Sequence, residues 1–245
     1  MSAFSTRLLA AGAIAFAVAF NIPFAILGAT FEYPDVLRRP AGEVLTLFHA
    51  GGASLILTWH AFAIAALLFV PLSIALSLRA DRVAATPALA IGAAIAGSLA
   101  GLAQAIGLWR WVFVVPSLAA AYADPSASDA SRLAAENTFA LINLYGGVAV
   151  GEHIGQLLTA LFVGLLATIQ FREGGRLTAL IGYVAAAAIV FGTNEGLAIA
   201  LGQSGEMFGL ATIVGFVGLS TWLIATGVAM LLPARFDASA ATFAR

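Results

Sequence analysis

Six polar residues lie in otherwise apolar stretches and carry groups that could do chemistry. They are two histidines, two glutamates and two side-chain amides: His60, Glu152, His153, Gln156, Asn194 and Glu195. Histidine and carboxylate groups transfer protons, bind metals and pair with cationic ligands. Such groups are costly inside a membrane, so they face the interior of a helical bundle and find partners there.

Three kinds of chemistry are open to this set of residues. Clustered carboxylates and histidines would suit an amine, a cation or a lipid headgroup in a small-ligand pocket. His60 and His153, at similar depth on two spans, also match bis-histidine ligation of a b-type haem. The same histidines with Glu152 and Glu195 could hold a divalent metal such as zinc or iron, in a redox protein or a hydrolase.

A structural network of internal hydrogen bonds would explain the same residues without any ligand. The sequence has no HxxxH, HExxH or GxSxG motif, so no catalytic residue is assigned. A transporter or channel needs a polar path through both leaflets, and the other half of these spans is too apolar to supply one.

Composition identifies the solvent that surrounds the chain. Of its 245 residues, 62% are hydrophobic and 9% are charged, whereas soluble domains have about 25% charged residues. So few charges cannot cover a soluble surface, and a lipid bilayer is the expected partner. The net charge is −1 and there is no basic tract, which argues against nucleic acid. Cysteine is absent, which excludes thiolate metal sites and cysteine nucleophiles.

The hydropathy pattern predicts an all-α integral membrane bundle in one domain, residues 1–245, since a spanning helix needs about 20 apolar residues. Six windows qualify: Leu8–Thr30, Leu55–Leu78, Ala88–Val112, Gly146–Phe171, Leu177–Leu201 and Phe208–Leu232.

Arginine placement predicts the orientation of these spans. One side collects Arg7, Arg79, Arg82, Arg172, Arg176, Arg235 and Arg245, and the other only Arg38, Arg39 and Arg132. This bias places both termini in the cytoplasm, in a bacterial inner membrane. The longer loops, 31–54 and 113–145, then face outward. Each contains an amphipathic helical segment, residues 42–50 and 128–147.

On this topology the polar residues share one depth. His60, Glu152 and Glu195 lie about 8–10 Å from the outer ends of their spans, at 1.5 Å per residue. Gln104 and Arg110 belong to the outer half of the third span and are further ligand candidates. Arg110 lies between two tryptophans, a pattern typical of an interfacial belt in which arginine reaches out to the headgroups.

Glycine spacing predicts close helix contacts. Gly147, Gly151 and Gly155 form two overlapping GxxxG units in the fourth predicted span, and Gly97 and Gly101 form another in the third. Small residues at this spacing let helix backbones approach closely. The pattern favours contact between these two spans, and it also offers faces for other membrane subunits.

Two stretches, residues 31–71 and 107–119, resemble a family of bacterial multi-spanning membrane proteins grouped as a domain of unknown function. The matching positions are Tyr33, Pro34, Asp35, Trp59, Arg110, Trp111 and Pro116. The resemblance implies a bacterial membrane protein of six or seven helices, and it carries no assigned reaction. It also gives weight to the loop after the first span, where Asp35 with Arg38 or Arg39 could form a lid over the polar cluster.

The leading hypothesis is therefore binding or sensing of a small ligand in an outward-facing pocket, or a role as an accessory subunit of a membrane complex. A haem or metal protein using His60, His153 and Glu152 is the alternative. A structural subunit with internal polar contacts is the third interpretation.

Overall fold

The computed structural model describes residues 3–232. Six helices in this range are long and apolar enough to cross a membrane, which confirms the predicted six-span bundle. Their bounds are Phe4–Phe31, Ala41–Ser77, Pro87–Ala123, Asp129–Arg172, Arg176–Ala200 and Glu206–Leu231. The protein is a multi-pass membrane protein. Two arginines used to predict its orientation, Arg235 and Arg245, lie outside the described residues.

The described chain is helical almost throughout and contains no strand between residues 3 and 232. Its α-helices are α1 (Ala3–Phe31), α2 (Ala41–Ser77), α3 (Ala80–Ala85), α4 (Pro87–Phe113), α5 (Val115–Ala123), α6 (Asp129–Ile142), α7 (Gly155–Arg172), α8 (Arg176–Gly192), α9 (Asn194–Ala200) and α10 (Glu206–Leu231). A 3₁₀ turn, Asp35–Arg38, follows α1, and a π-helix, Asn143–Ile154, joins α6 to α7.

The spans alternate in direction, so the bundle has two ends. The Arg38 end carries the 3₁₀ turn between α1 and α2, and the Arg82 end carries the short helix α3 between α2 and α4. Arg82 stabilises its end of the bundle. Its guanidinium nitrogens lie 2.7 Å from each carboxylate oxygen of Glu173, and it also donates to the carbonyl of Leu76.

Both predicted amphipathic segments at the Arg38 end are helical and run into spans. The first belongs to α2 and is set off from the rest of that helix by Gly52, whose φ of 56° is a conformation that favours glycine. Its Val44 and Phe48 are buried. The second begins at α6, where the Ser128 hydroxyl accepts from the Ser131 amide at 3.2 Å. Near its end Phe139 is buried.

The leucines of the predicted amphipathic segment 128–147 do not face the bundle. Leu133, Leu141 and Leu144 are all more than half exposed, whereas Ala135 and Phe139 are buried. Exposed leucines on a membrane protein contact lipid. Residues 112–116, which join the third predicted span to the loop, continue the helix from α4 into α5, and together they form the 37-residue third span.

Two apolar cores fill the bundle. The one toward the Arg82 end packs α2, α4, α7 and α10 around Leu76, Phe162, Leu166 and Trp222, all of which are fully buried. The one toward the Arg38 end is aromatic. Its centre is a stacked pair, Trp59 and Trp111, with ring centroids 4.8 Å apart and planes 8° from parallel.

The glycines predicted to mediate helix contact lie against residues of the same chain. A Cβ built on Gly107 would come within 2.7 Å of the Cα of Gly151, so α4 and the π-helix touch backbone to backbone. Gly97 and Gly101 face α2, where a Cβ would meet Ser73 at 2.4 Å and the carbonyl of Ala66 at 2.9 Å. These faces contact residues of the same chain, so the structure does not support the prediction that they bind other subunits.

Candidate functional site

A cavity of about 670 Å³ opens within the bundle on the side of the Arg38 end. Its wall combines charged and amide groups with aromatic rings and small residues. Polar lining residues are Asn21, Asp35, Arg38, Gln104, Arg110, Glu152, Gln156, Glu195, Glu206 and Thr212. Aromatic lining residues are Phe20, Phe24, Tyr33, Trp59, Phe62, Trp111 and Phe216. The cavity wall thus offers both charged groups and aromatic rings to a ligand.

The π-helix positions the charged side of this wall. Asn143–Ile154 is a twelve-residue π-helical segment, whereas most π-helices are single turns inserted in an α-helix. Gly147 and Gly151 occupy its inner face, and the absence of side chains there lets α4 approach. The wider winding carries Glu152 to the cavity wall, at the level where α9 presents Glu195.

Arg38 joins these two carboxylates. Its Nη2 lies 2.8 Å from Oε2 of Glu152, and its Nε donates to Oε1 of Glu195 at 3.0 Å. The three side chains keep 30%, 24% and 19% of their surface exposed, so they are mostly buried. Burial lowers the pKa of Arg38, but the two carboxylates outweigh this effect and raise it overall. The loop after α1 is therefore held to the fourth and fifth spans by ion pairs.

Arg110 is buried behind this cluster and connects two helices of the cavity wall. It is only 7% exposed, donates from Nη1 to the carbonyl of Gly107, and donates from Nη2 to Oδ1 of Asn143 at 2.9 Å. Its guanidinium lies against Gly147, where a Cβ would come within 2.5 Å, and 5.2 Å from the ring of Trp111. Interpreting Arg110 as an interfacial, outward-reaching side chain was wrong, because the glycine-lined π-helix covers it.

Tyr33 links the charged cluster to the aromatic residues of the wall. Its ring meets the rings of Phe24, Trp59 and Phe62 edge-on, with centroids 5.4, 5.2 and 6.1 Å away. Burial raises the pKa of its hydroxyl, and the nearby carboxylate of Glu152 raises it further. The hydroxyl is therefore neutral at physiological pH and available as a hydrogen-bond donor.

Residues 8–227 match a family described as a domain of unknown function, DUF4386. The chain belongs to this family. Comparisons with curated proteins and with solved structures found no match. Membership in DUF4386 confirms the resemblance seen in the sequence. Because the family has no assigned function, the cavity of this DUF4386 member is the basis for a proposal about its chemistry.

Five of the predicted ligand candidates line the cavity and three do not. Gln104, Arg110, Glu152, Gln156 and Glu195 belong to the wall. His60, His153 and Asn194 are outside it. The Nδ1 atom of His153 lies 3.0 Å from the carbonyl oxygen of Thr193, and Asn194 donates to the carbonyl of Phe191 at 3.0 Å. His60 is next to Trp59, and it is Trp59 that faces the cavity.

The predicted metal or haem set is not assembled in this structure. Within residues 3–232, no three histidine, aspartate or glutamate side chains are grouped so that they could hold a metal ion. Glu152 is paired with Arg38, His153 is turned to the Thr193 carbonyl, and neither His60 nor His153 lines the cavity. The helical positions that put these residues at one depth do not put them on one face.

The three lid candidates have different partners. Arg38 bridges the two carboxylates, and Asp35 lines the cavity while remaining exposed. Arg39 instead pairs with Glu32, at the surface.

Several wall residues were not predicted as site residues from the sequence. Asn21, Tyr33, Trp59, Trp111 and Thr212 belong to this group. Two of them are direct neighbours of predicted residues, since Trp59 precedes His60 and Trp111 follows Arg110. An aromatic residue beside a polar one inside a span was the available signal.

Four buried polar atoms of wall residues have no hydrogen-bond partner within the described chain. They are Nε1 of Trp59, Nε1 of Trp111, Nε of Arg110 and Oγ1 of Thr212. Buried polar atoms without partners are few in folded proteins and call for an explanation. Four of the seven such atoms in residues 3–232 thus belong to this one cavity wall, and Oγ of Ser77, at the Arg82 end, is another.

Proposed function

We propose that this protein binds a small amphipathic ligand in the cavity at the Arg38 end. The observation that carries the proposal is the cavity itself, about 670 Å³, whose wall combines a charged cluster with aromatic rings. Small-molecule pockets have volumes of about 300–1,000 Å³, with mainly apolar walls and a few polar groups that fix orientation.

The polar groups are arranged to orient such a ligand. Arg38, Glu152 and Glu195 offer charge, and deeper in the wall Gln104 is held by Thr159, to which it donates at 2.7 Å. A ligand with a polar end near the charged cluster and an apolar body along the aromatic rings would satisfy both surfaces.

The opposite side of the bundle supports binding rather than passage. Toward the Arg82 end, Leu76, Phe162, Leu166 and Trp222 are fully buried in a continuous core. A transported solute would need a polar path through this core.

Placement in a bacterial inner membrane, with the cavity toward the periplasm, is part of the proposal. It rests on the arginine bias toward the Arg82 end. In that setting the bound ligand would be sensed, or presented to a partner in a larger membrane complex.

The proposal is tested by native mass spectrometry on protein released from its membrane into a mild detergent. Two neighbouring residues of α10 provide matched variants, because Ile213 lines the cavity and Val214, 56% exposed, does not. We expect a bound small molecule in the wild type and in Val214→Trp, and its loss in Ile213→Trp. Equal occupancy in all three proteins would contradict the proposal. An empty wild type with unchanged folding would favour a purely structural role.

A further inference from the structure

The charges that a ligand can reach in the cavity are mostly negative. Arg38 is the only cationic wall residue with a substantially exposed side chain, because Arg110 is covered by Gly147 and is 7% exposed. The wall also contains four carboxylates. These are Asp35, Glu152, Glu195 and Glu206, of which Asp35 and Glu206 are exposed. The surface offered to a ligand therefore favours a cation.

Two carboxylate oxygens in the cluster are left for a ligand. Arg38 engages Oε2 of Glu152 and Oε1 of Glu195. The other oxygen of each group accepts no hydrogen bond within residues 3–232. Ionised carboxylates in a membrane protein need cationic partners or donors. The wall offers two guanidiniums, of which Arg110 also interacts electrostatically with Glu152, against four carboxylates, so its net charge remains negative.

Aromatic rings line the same cavity as these oxygens. Tyr33, Trp59 and Phe62 are in mutual contact with centroids 5.2–6.3 Å apart, and all three line the cavity. Carboxylates next to aromatic rings form the kind of site that binds substituted ammonium groups, through charge and cation–π attraction.

One side of the cavity is formed by α1 and α10, which both contribute lining residues. Toward the Arg82 end and at mid-depth these helices are in contact, through Gly227 against the carbonyl of Ala10 and through Asn21, which donates to Ser220 at 2.8 Å. Nearer the Arg38 end, α10 packs against α8 instead, where Gly215 lies against Ile189.

Nearer the Arg38 end, three apolar residues of α10 that line the cavity are exposed. Leu210 is 63% exposed, Ile213 is 37% exposed and Val217 is 57% exposed. An opening between the cavity and the bilayer at this place would have apolar edges.

From these observations we propose that the ligand is an amphiphile with one ammonium headgroup and one apolar tail, taken up sideways from the bilayer. The headgroup lies against the free oxygens of Glu152 and Glu195, facing the aromatic rings, and the tail lies between α1 and α10. This assignment rests on the proposed function and adds the charge of the ligand and its route of entry.

The test measures binding of radiolabelled dodecyltrimethylammonium to purified, bead-captured protein in the neutral detergent dodecyl maltoside. Empty beads in the same micelles give the non-specific background. We expect saturable binding that unlabelled dodecyltrimethylammonium displaces. Dodecyl sulfate, with the same tail and opposite charge, should displace it at least about tenfold less well. Tetramethylammonium, with the charge and no tail, should be weaker by about 100-fold or more.

Variants locate the two ends of the bound probe. The double variant Glu152→Gln/Glu195→Gln should weaken binding by at least about tenfold. Asp129→Asn removes an exposed carboxylate outside the cavity at the same end and should leave binding unchanged. Ile213→Trp should abolish binding and Val214→Trp should not.

The failures of the two proposals are distinguishable. Equal displacement by dodecyl sulfate and dodecyltrimethylammonium would overturn the assignment of a cation without use of any variant. Suppose that a native ligand is lost in Ile213→Trp, but that the double variant Glu152→Gln/Glu195→Gln binds the probe as the wild type does. The small-ligand function then stands and the ammonium assignment is wrong. If Ile213→Trp changes neither native occupancy nor probe binding, both are wrong.

Discussion

The guanidinium of Arg38 lies 2.8 Å from the carboxylate of Glu152, although 114 positions of sequence separate them. The same guanidinium reaches Glu195, so one side chain from a loop connects to two spans. This ion cluster borders the cavity, and the loop after α1 is consequently part of the wall. The stability of this end of the bundle and the properties of the cavity therefore depend on the same contacts.

Replacement of Arg38 by glutamine should destabilise the protein more than the same change at Arg39. Arg38→Gln leaves two mostly buried carboxylates without their cation, and we expect a loss of about 1–3 kcal/mol in the free energy of unfolding. Arg39 pairs with Glu32, whose side chain is 57% exposed, so Arg39→Gln should cost no more than about 0.5 kcal/mol. Thermal unfolding in dodecyl maltoside compares the two variants, and equal losses would show that the cluster does not hold the loop.

A methyl group on Gly107 should separate α4 from the π-helix. A Cβ there would come within 2.7 Å of the backbone of Gly151, and backbone cannot move aside as a side chain can. We expect Gly107→Ala to cost about 1–3 kcal/mol. Gly164→Ala is the matched control, because a Cβ at Gly164 meets nothing within 4 Å. The control should be neutral or stabilising by up to about 1 kcal/mol, since alanine favours helix. A harmless Gly107→Ala would contradict the close packing described here.

Alkaline pH should weaken the fold through Tyr33. Burial raises the pKa of its hydroxyl above the ordinary value of about 10, so the unfolded chain loses this proton before the folded protein does. The contribution is complete below about pH 10 and is lost above it, by up to about 1.4 kcal/mol per pH unit. Unfolding of wild type and Tyr33→Phe between about pH 8 and 11 should reveal this loss in the wild type alone. Tyr145→Phe, at a site 68% exposed, should behave as the wild type does, and the same alkaline slope in Tyr33→Phe would refute the assignment.

Single cysteines test the orientation directly, because the chain has none of its own. Ser126, near the Arg38 end, and Ala84, in α3 at the Arg82 end, are both exposed. In intact cells a membrane-impermeant maleimide should label Ser126→Cys, and it should label Ala84→Cys only after lysis. The reverse pattern would place the cavity toward the cytoplasm and would overturn the periplasmic assignment.

The number of spans follows from sequence because the bilayer imposes a minimum length on every apolar segment that crosses it. The level of the charged groups followed for the same reason, since a fixed rise per residue converts position into depth. The depth of a residue in the membrane did not determine the direction in which its side chain points. His153 follows Glu152 directly, yet it contacts Thr193 while Glu152 meets Arg38, and the π-helical winding of this segment is not a property that hydropathy reveals.

The roles of Arg110 and the tryptophans depend on long-range packing. Two flanking tryptophans made Arg110 resemble an interfacial residue. Its burial follows from Gly147, which lies 37 positions further along the chain and leaves room for the guanidinium. Similarly, the stacking of Trp59 on Trp111 depends on how α2 meets α4, which no local pattern encodes. Contacts of this kind require the folded arrangement of the helices.

The most direct test of the account is to determine what occupies the cavity in protein taken from its own membrane. Electron cryo-microscopy of the wild type with a bound antibody fragment would resolve that region. The account predicts non-protein density between Tyr33, Glu152 and Ile213, absent from Ile213→Trp and present in Val214→Trp. A collapsed cavity, or one filled only by ordered water in both the wild type and Val214→Trp, would contradict the claim that this protein binds a small ligand there.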